Sequence, residues 1–175
     1  MARQRPGGIN LGLPNVDILW QGYSGLNLLD VISKLRYLKR VGEKPNVILL
    51  HCGGNSIGLT PCKHLRWLLK QIVKFIIENF EARRIWSEIL PRNSWRYSHN
   101  VEKMNRTVRR LNSFAGKHII ENNGFYIRHP DLQRVTSSLY KDDGVHLKFL
   151  GNCIFLCQIS SALEKFIIGG CAYFE

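Results

Sequence analysis

Apolar positions along this chain follow two alternating rhythms, short β-rich runs and longer stretches with helical spacing. Val16 to Trp20 (VDILW) predicts a strand, and the Gly-containing QGYSG predicts a turn. Leu26 to Leu38 carries apolar residues at 28, 31, 32 and 35, the spacing of a helix face, and Gly42 and Pro45 end it. Asn46 to Cys52 (NVILLHC) is nearly continuous apolar sequence, as in a strand covered on both faces. After Gly53-Gly54, a helix is predicted from about Cys62 to Phe80, with a stripe of Leu65, Leu68, Leu69, Ile72 and Ile76. Arg84 to Leu90 predicts a strand stopped by Pro91. A helix follows from about His99 to His118, with Val101, Met104, Val108, Leu111 and Ala115 on one side. Asn122-Asn123-Gly124 turns into a short strand over Phe125 to Arg128, and a last helix spans Phe149 to Ile167.

Strands alternating with helices predict an α/β fold with a parallel sheet and helices on both faces, a three-layer α/β/α architecture. The 175 residues suit one domain over 1–175, with 45% apolar and 22% charged residues excluding a disordered chain. No apolar run is long enough for a membrane span, and the basic start MARQRPGG has no apolar h-region of a secretory signal. Five cysteines without close pairing fit a reduced protein, so an intracellular, cytoplasmic setting is expected. The net charge of +12 is spread over Lys39-Arg40, Arg83-Arg84 and Arg109-Arg110. A solvated basic surface is therefore the first reading, and weak nucleic-acid binding the second.

In open parallel sheets the ligand site lies beyond the carboxyl ends of the strands. Two segments there carry chemistry. Gly53-Gly54-Asn55-Ser56 offers backbone donors and an amide able to hydrogen-bond a developing oxyanion, although the tetrapeptide alone reads first as a plain turn joining a strand to a helix. Asp143-Gly144-Val145-His146 offers a general base with a carboxylate three residues away to orient it, although alone it reads as a loop and helix cap.

In this order, Gly25, then GGN, then DGVH, the sequence resembles the SGNH (GDSL-type) hydrolases. It looks most like the esterase-like domains of retroelement-derived reading frames. Five segments carry the resemblance: Arg5 to Gly8 with Leu11 to Leu13, Trp20 to Gly25, His51 to Asn55, Trp86 to Arg92, and Asp143 to Asn152. The resemblance implies a serine ester hydrolase acting on a small acyl ester, without cofactor or metal. Gly25 and Asn55 would then form the oxyanion hole, His146 would be the base, and Asp143 would orient it. It also implies a flavodoxin-like strand order, 2-1-3-4-5.

Two departures matter. Ser56 stands where the family commonly has Asp, which is expected to disturb support of the loop. The family's opening strand and its Gly-Asp-Ser nucleophile are absent from the sequence. The chain is therefore expected to be an N-terminally truncated, inactive form lacking the first, central strand, which would lie between Val16–Trp20 and Asn46–Cys52. Ser24 in Gly22-Tyr23-Ser24-Gly25 is a weak substitute nucleophile, since Leu26 stands where a nucleophile elbow needs glycine.

Other candidates read as structure. His51 and Cys52 are adjacent in a strand and should point to opposite faces. Cys153 and Cys157, one helical turn apart, read as buried core, and the six histidines show no metal spacing. His129-Pro130 follows the last strand, where it could line the cleft, but a turn is the first reading, and Asn105-Arg106-Thr107 is a sequon discounted by its place in a helix. Lys103, Arg106, Arg109 and Arg110 form a basic helix face, the surface that a non-catalytic nucleic-acid-binding module would use. The leading reading is the ester hydrolase domain, and that module is the alternative.

Overall fold

The structure is a computed structural model that describes residues 10–42, 44–168 and 173–174. Motif residues Arg5 to Gly8 lie outside the described residues. Four strands, β1 (Val47–Leu50), β2 (Arg83–Ser87), β3 (Phe125–Ile127) and β4 (Tyr173–Phe174), form one sheet in the order β1-β2-β3-β4. Every neighbouring pair is parallel, with Leu49 opposite Ile85, and Ile85 opposite Phe125. Helix α1 (Leu28–Val41) precedes β1, and α2 (Cys62–Asn79), α3 (Val101–Glu121) and α4 (Phe149–Ile168) connect the successive strands.

The period-2 alternation of a strand decides the layers. Trp86 points into a core shared with α1, α2 and α3, whereas its neighbour Ile85 joins Ile127 against α4 residues Ile159, Ala162, Leu163 and Phe166. Helices therefore cover both faces, giving the predicted three-layer α/β arrangement. The helical stripes read from the sequence are the buried faces, with Leu65, Leu69, Ile72 and Leu111 all inaccessible to solvent. Asn100 caps α3 by accepting from the Lys103 amide at 2.9 Å.

One predicted element is missing. Val16 to Trp20 is irregular, not a strand. Leu13 and Val16 pack in the α4 core, the Ser160 hydroxyl donates to the Leu11 carbonyl, and Leu19 is left 60% exposed. A strand exists only through a hydrogen-bonded neighbour. β1 pairs with β2 alone, and no described strand lies between β1 and this segment. The β-rich pattern is present, but its partner edge is not among the described residues. β2 also ends earlier than predicted, because α3 takes over the backbone groups that follow it.

Candidate active site

The chain leaves β1 through Gly53, whose φ of +108° suits only glycine, and folds Gly54–Ser56 into a single 3-10 turn. Ser56 is buried, and its Oγ accepts from the Leu28 amide at 2.8 Å. Leu28 opens α1, so Ser56 satisfies one of the helix's orphan donors from outside the helix. Serine at this position therefore supports the loop, where the sequence suggested disturbance. Gly25 sits just before α1 with φ +69°, in a turn closed by Leu26 donating to the Tyr23 carbonyl.

Asn55 bridges these two pieces. Its Nδ2 donates to the Leu26 carbonyl at 3.3 Å, and its Oδ1 accepts from both terminal nitrogens of Arg92 at 3.3 and 3.4 Å. Guanidinium has donors only, so the oxygen of Asn55 must face Arg92 and the NH2 must face Gly25's turn. One N–H of that group remains for a ligand. Gly25, Gly54 and Asn55 line a small cleft of about 90 Å³ with Arg92, Trp95 and Arg96. Arg92 lies over the Trp95 ring at 5.1 Å. A Cβ on Gly54 would collide with the same guanidinium, which accounts for glycine there. Burial lowers the Arg92 pKa, and the nearby Asp143 carboxylate opposes that shift.

Asp143 stands at the tip of a small hairpin, held by Tyr140 pairing antiparallel with Leu147 and by Lys148 donating to Leu139. Gly144 supplies the positive φ of the tip, +66°. Its carbonyl accepts from the Asn93 amide at 2.9 Å, docking the hairpin on the segment that carries Arg92. Asp143 Oδ1 accepts from the amides of Val145 and His146, and Oδ2 meets His146 Nδ1 at 2.7 Å. The His146 hydrogen bond, followed by these two amides, holds the Asp143 carboxyl well below the usual carboxylate range. His146 is exposed, with its Nε2 facing away from the carboxylate that fixes Nδ1 as the donor.

Gly25 and Asn55 share the cleft, whereas Asp143 and His146 do not line it and are linked to it by the Asn93–Gly144 hydrogen bond beside Arg92. Ser24 is exposed on its turn, and among the described residues it hydrogen-bonds to no histidine. No group of three metal-ligating side chains occurs among the described residues, and none of their helices is long and apolar enough to cross a membrane. On the basic face of α3, Arg106 is engaged by Glu102 at 2.7 Å, while Arg109 and Arg110 are exposed.

Sequence reasoning missed the two side chains that place Arg92. Asn112, buried on α3, donates to the Ile89 carbonyl and accepts from the Ile89 amide. Asn105, two turns earlier on the same face, does the same for Arg92 at 2.8 and 3.0 Å. Each carboxamide acts as a substitute peptide group, pairing the chain after β2 where no strand does. The signal was available: a polar residue within the apolar stripe at a spacing of seven. Asn105, discounted as a sequon from the sequence, serves as this clamp.

A second polar cluster was also missed. His129 opens the single 3-10 turn Pro130–Leu132, as the sequence suggests, but its side chain is fully buried. Its Nε2 meets Ser87 Oγ at 2.7 Å, its Nδ1 meets Gln158 Oε1 at 2.9 Å, and its backbone amide donates to Glu88. His51 Nδ1 reaches the same Ser87 hydroxyl at 3.0 Å. Burial lowers the His129 pKa to about 4. Cys157 is exposed and Cys153 half-buried, correcting their assignment to the core, because α4 turns that side away from the sheet. Burial raises the Cys52 thiol to about 12, and Cys52 and His51 make no pair.

No protein-family model matches this sequence, and no curated protein matches it by sequence. Solved structures do match by shape. A GDSL-like lipase from Bacteroides thetaiotaomicron superposes with a TM-score of 0.67 at 17% identity, covering 83% of this chain and 75% of the lipase. A protein assigned as an acylhydrolase from Bacteroides fragilis gives 0.66 at 15% identity, covering 84% and 74%. The psychrotrophic esterase EstA from Pseudoalteromonas, inhibited by monoethylphosphonate, gives 0.57 at 19% identity, covering 82% and 74%. With its parallel sheet, its helices on both faces and these neighbours, the chain has the α/β fold of the SGNH/GDSL-type hydrolases.

Proposed function

We propose that this chain carries the acid–base and oxyanion parts of a serine ester hydrolase site for small acyl esters. The observation that carries the reading is the 2.7 Å Asp143–His146 pair, docked through Asn93 and Arg92 onto the loop that holds Asn55 beside Gly25. His146 Nε2 takes the proton of an attacking serine hydroxyl, and Asp143 stabilises the imidazolium. The Gly25 amide and the free Asn55 N–H donate to the tetrahedral oxyanion. His146 then returns the proton to the leaving alcohol, and water hydrolyses the acyl-enzyme by the same route.

Among the described residues no serine hydrogen-bonds to His146, so in this reading they hold no nucleophile for it. The nucleophile belongs on a further parallel strand, ending in Gly-Asp-Ser, paired with the open edge of β1. That strand would also turn Val16–Trp20 into a strand on its far side. Hydrolysis of 4-nitrophenyl acetate tests this. The printed chain should show none, and a chain extended at its N-terminus by such a strand should gain activity that His146→Ala abolishes. An extended, folded chain without activity, or one indifferent to His146→Ala, would sink the reading.

A further inference from the structure

At the carboxyl ends of β1, β2 and β3 runs a chain of hydrogen bonds that the proposed reaction does not use. Its order is Asp131, Gln158, His129, Ser87 and His51. Asp131 Oδ2 meets Gln158 Nε2 at 2.8 Å, and a carboxylate only accepts. Gln158 must therefore give its N–H to Asp131 and turn its oxygen to His129. His129 Nδ1 must then carry the proton, which leaves Nε2 as an acceptor in the neutral ring. Ser87 has one hydroxyl proton, and the 2.7 Å contact to that Nε2 consumes it. Toward His51 the Ser87 oxygen can only accept, so the proton at this contact belongs to His51 Nδ1.

Each link has one permitted direction, and the last fixes the tautomer of an exposed imidazole. The rings of His129 and Phe155 pack edge-on against His51, at 6.2 and 4.8 Å between centroids. Among the described residues, Nε2 of His51 has no hydrogen-bond partner. It stands directly after β1, at the open edge of the sheet and two residues ahead of Gly53.

We propose that this chain locks His51 with Nδ1 protonated and its Nε2 lone pair outward, making an acceptor site that takes hydroxyl groups and rejects carboxylates. His51 is in this sense a positioning residue for a hydroxyl-bearing ligand at the sheet edge. The inference uses no property of His146 or Asp143, so it can fail or hold independently of the ester hydrolase reading.

The test is the 15N spectrum of the imidazole nitrogens in the full printed chain at neutral pH. His51 and His129 should both show a protonated Nδ1 and a bare Nε2. Gln158→Glu, which still presents an oxygen to His129 Nδ1, should preserve that pattern at His51. Gln158→Lys, which only donates, should reverse the chain and move the proton of His51 to Nε2. Ser87→Ala should release His51 while leaving His129 in its own tautomer. Phenol should shift the His51 Nε2 resonance, and benzoate should not. A parent His51 protonated at Nε2, a His51 unmoved by both Ser87→Ala and Gln158→Lys, or a resonance that phenol does not move or benzoate moves equally, would overturn the proposal. Gln158 is only half-buried at the α4 surface, so its variants keep the test open even if Ser87→Ala fails to fold.

Discussion

The two histidine clusters at the carboxyl end of the sheet are built from the same kinds of group and behave in opposite ways. His146 meets a carboxylate directly, three residues back in sequence, and is exposed. His129 reaches a carboxylate only through the amide of Gln158, is fully buried, and draws its partners from β2 and α4, 42 and 29 residues away. In the first, the carboxylate holds the ring by its Nδ1 and leaves Nε2 open to solvent. In the second, burial disfavours the charged form of the ring. One ring is held at a single atom on the surface, and the other is held at both nitrogens in the interior.

The sharpest way to break that contrast is to delete each ring. His129→Ala removes two buried side-chain hydrogen bonds and leaves Ser87 and Gln158 short of a partner, at a cost of about 3 kcal/mol. His146→Ala removes an exposed hairpin-tip contact and should leave the urea midpoint unchanged. Equal shifts in the two midpoints would show that the buried cluster contributes no more to stability than the exposed one.

Acid separates the clusters in a second way. The folded pKa of His129, about 4, lies below the ordinary histidine value, so unfolding takes up a proton in acid. Its contribution is intact above about pH 6.5 and falls as pH drops toward 4, by on the order of 3 kcal/mol. Asp143 is also depressed, so its contribution is present above the unfolded carboxylate pKa and is lost only at still lower pH. The unfolding free energies of the parent and His129→Ala should therefore differ most near pH 7 and converge toward pH 4. A gap that stays constant over that range would remove the buried neutral ring from the argument.

These two clusters also mark what the sequence could disclose. Asp143 and His146 lie within one turn, so their spacing is itself the contact, and DGVH was legible. Gly25 and Asn55 line one cleft, a meeting that only the family resemblance implied, since no strand leads into Gly25. Ser87, His129 and Gln158 meet only after β2, β3 and α4 pack, and nothing in Ser-Glu, His-Pro or Cys-Gln signals that meeting. Cys157 shows the same limit in reverse: its neighbours are apolar, yet its side of α4 faces solvent. Val16 to Trp20 failed for a different reason. Its pattern was read correctly as β-rich, but a strand is a property of two segments, and the described residues supply only one.

Arg92 connects the exposed cluster to the cleft, and its removal should act on rate more than on stability. Arg92→Met removes the guanidinium from over Trp95 and frees the Asn55 oxygen, so the amide no longer has one preferred face. In the serine-extended chain the expected loss in kcat is about tenfold, smaller than the hundredfold or more expected for Asn55→Ala, with KM little changed. A loss in KM alone would assign Arg92 to substrate binding and not to orientation of the oxyanion donor.

The smallest expected effect lies at Ser56, where the loop carrying Asn55 meets α1. Ser56→Ala leaves the Leu28 amide without its acceptor in a buried position, at about 1 kcal/mol by the cost of a lost helix-capping bond. The same bond ties the Asn55 side of the cleft to the Gly25 side, because Leu28 begins the helix just after Gly25's turn. The loss should therefore register twice, as a modest shift in the urea midpoint and as faster hydrogen exchange at the amides opening α1. His146 and Asp143, held by their own hairpin, should show no change in exchange. If exchange rose in the hairpin as well, the exposed cluster would depend on the cleft loop for its order, and its independence from the rest of the site would be lost.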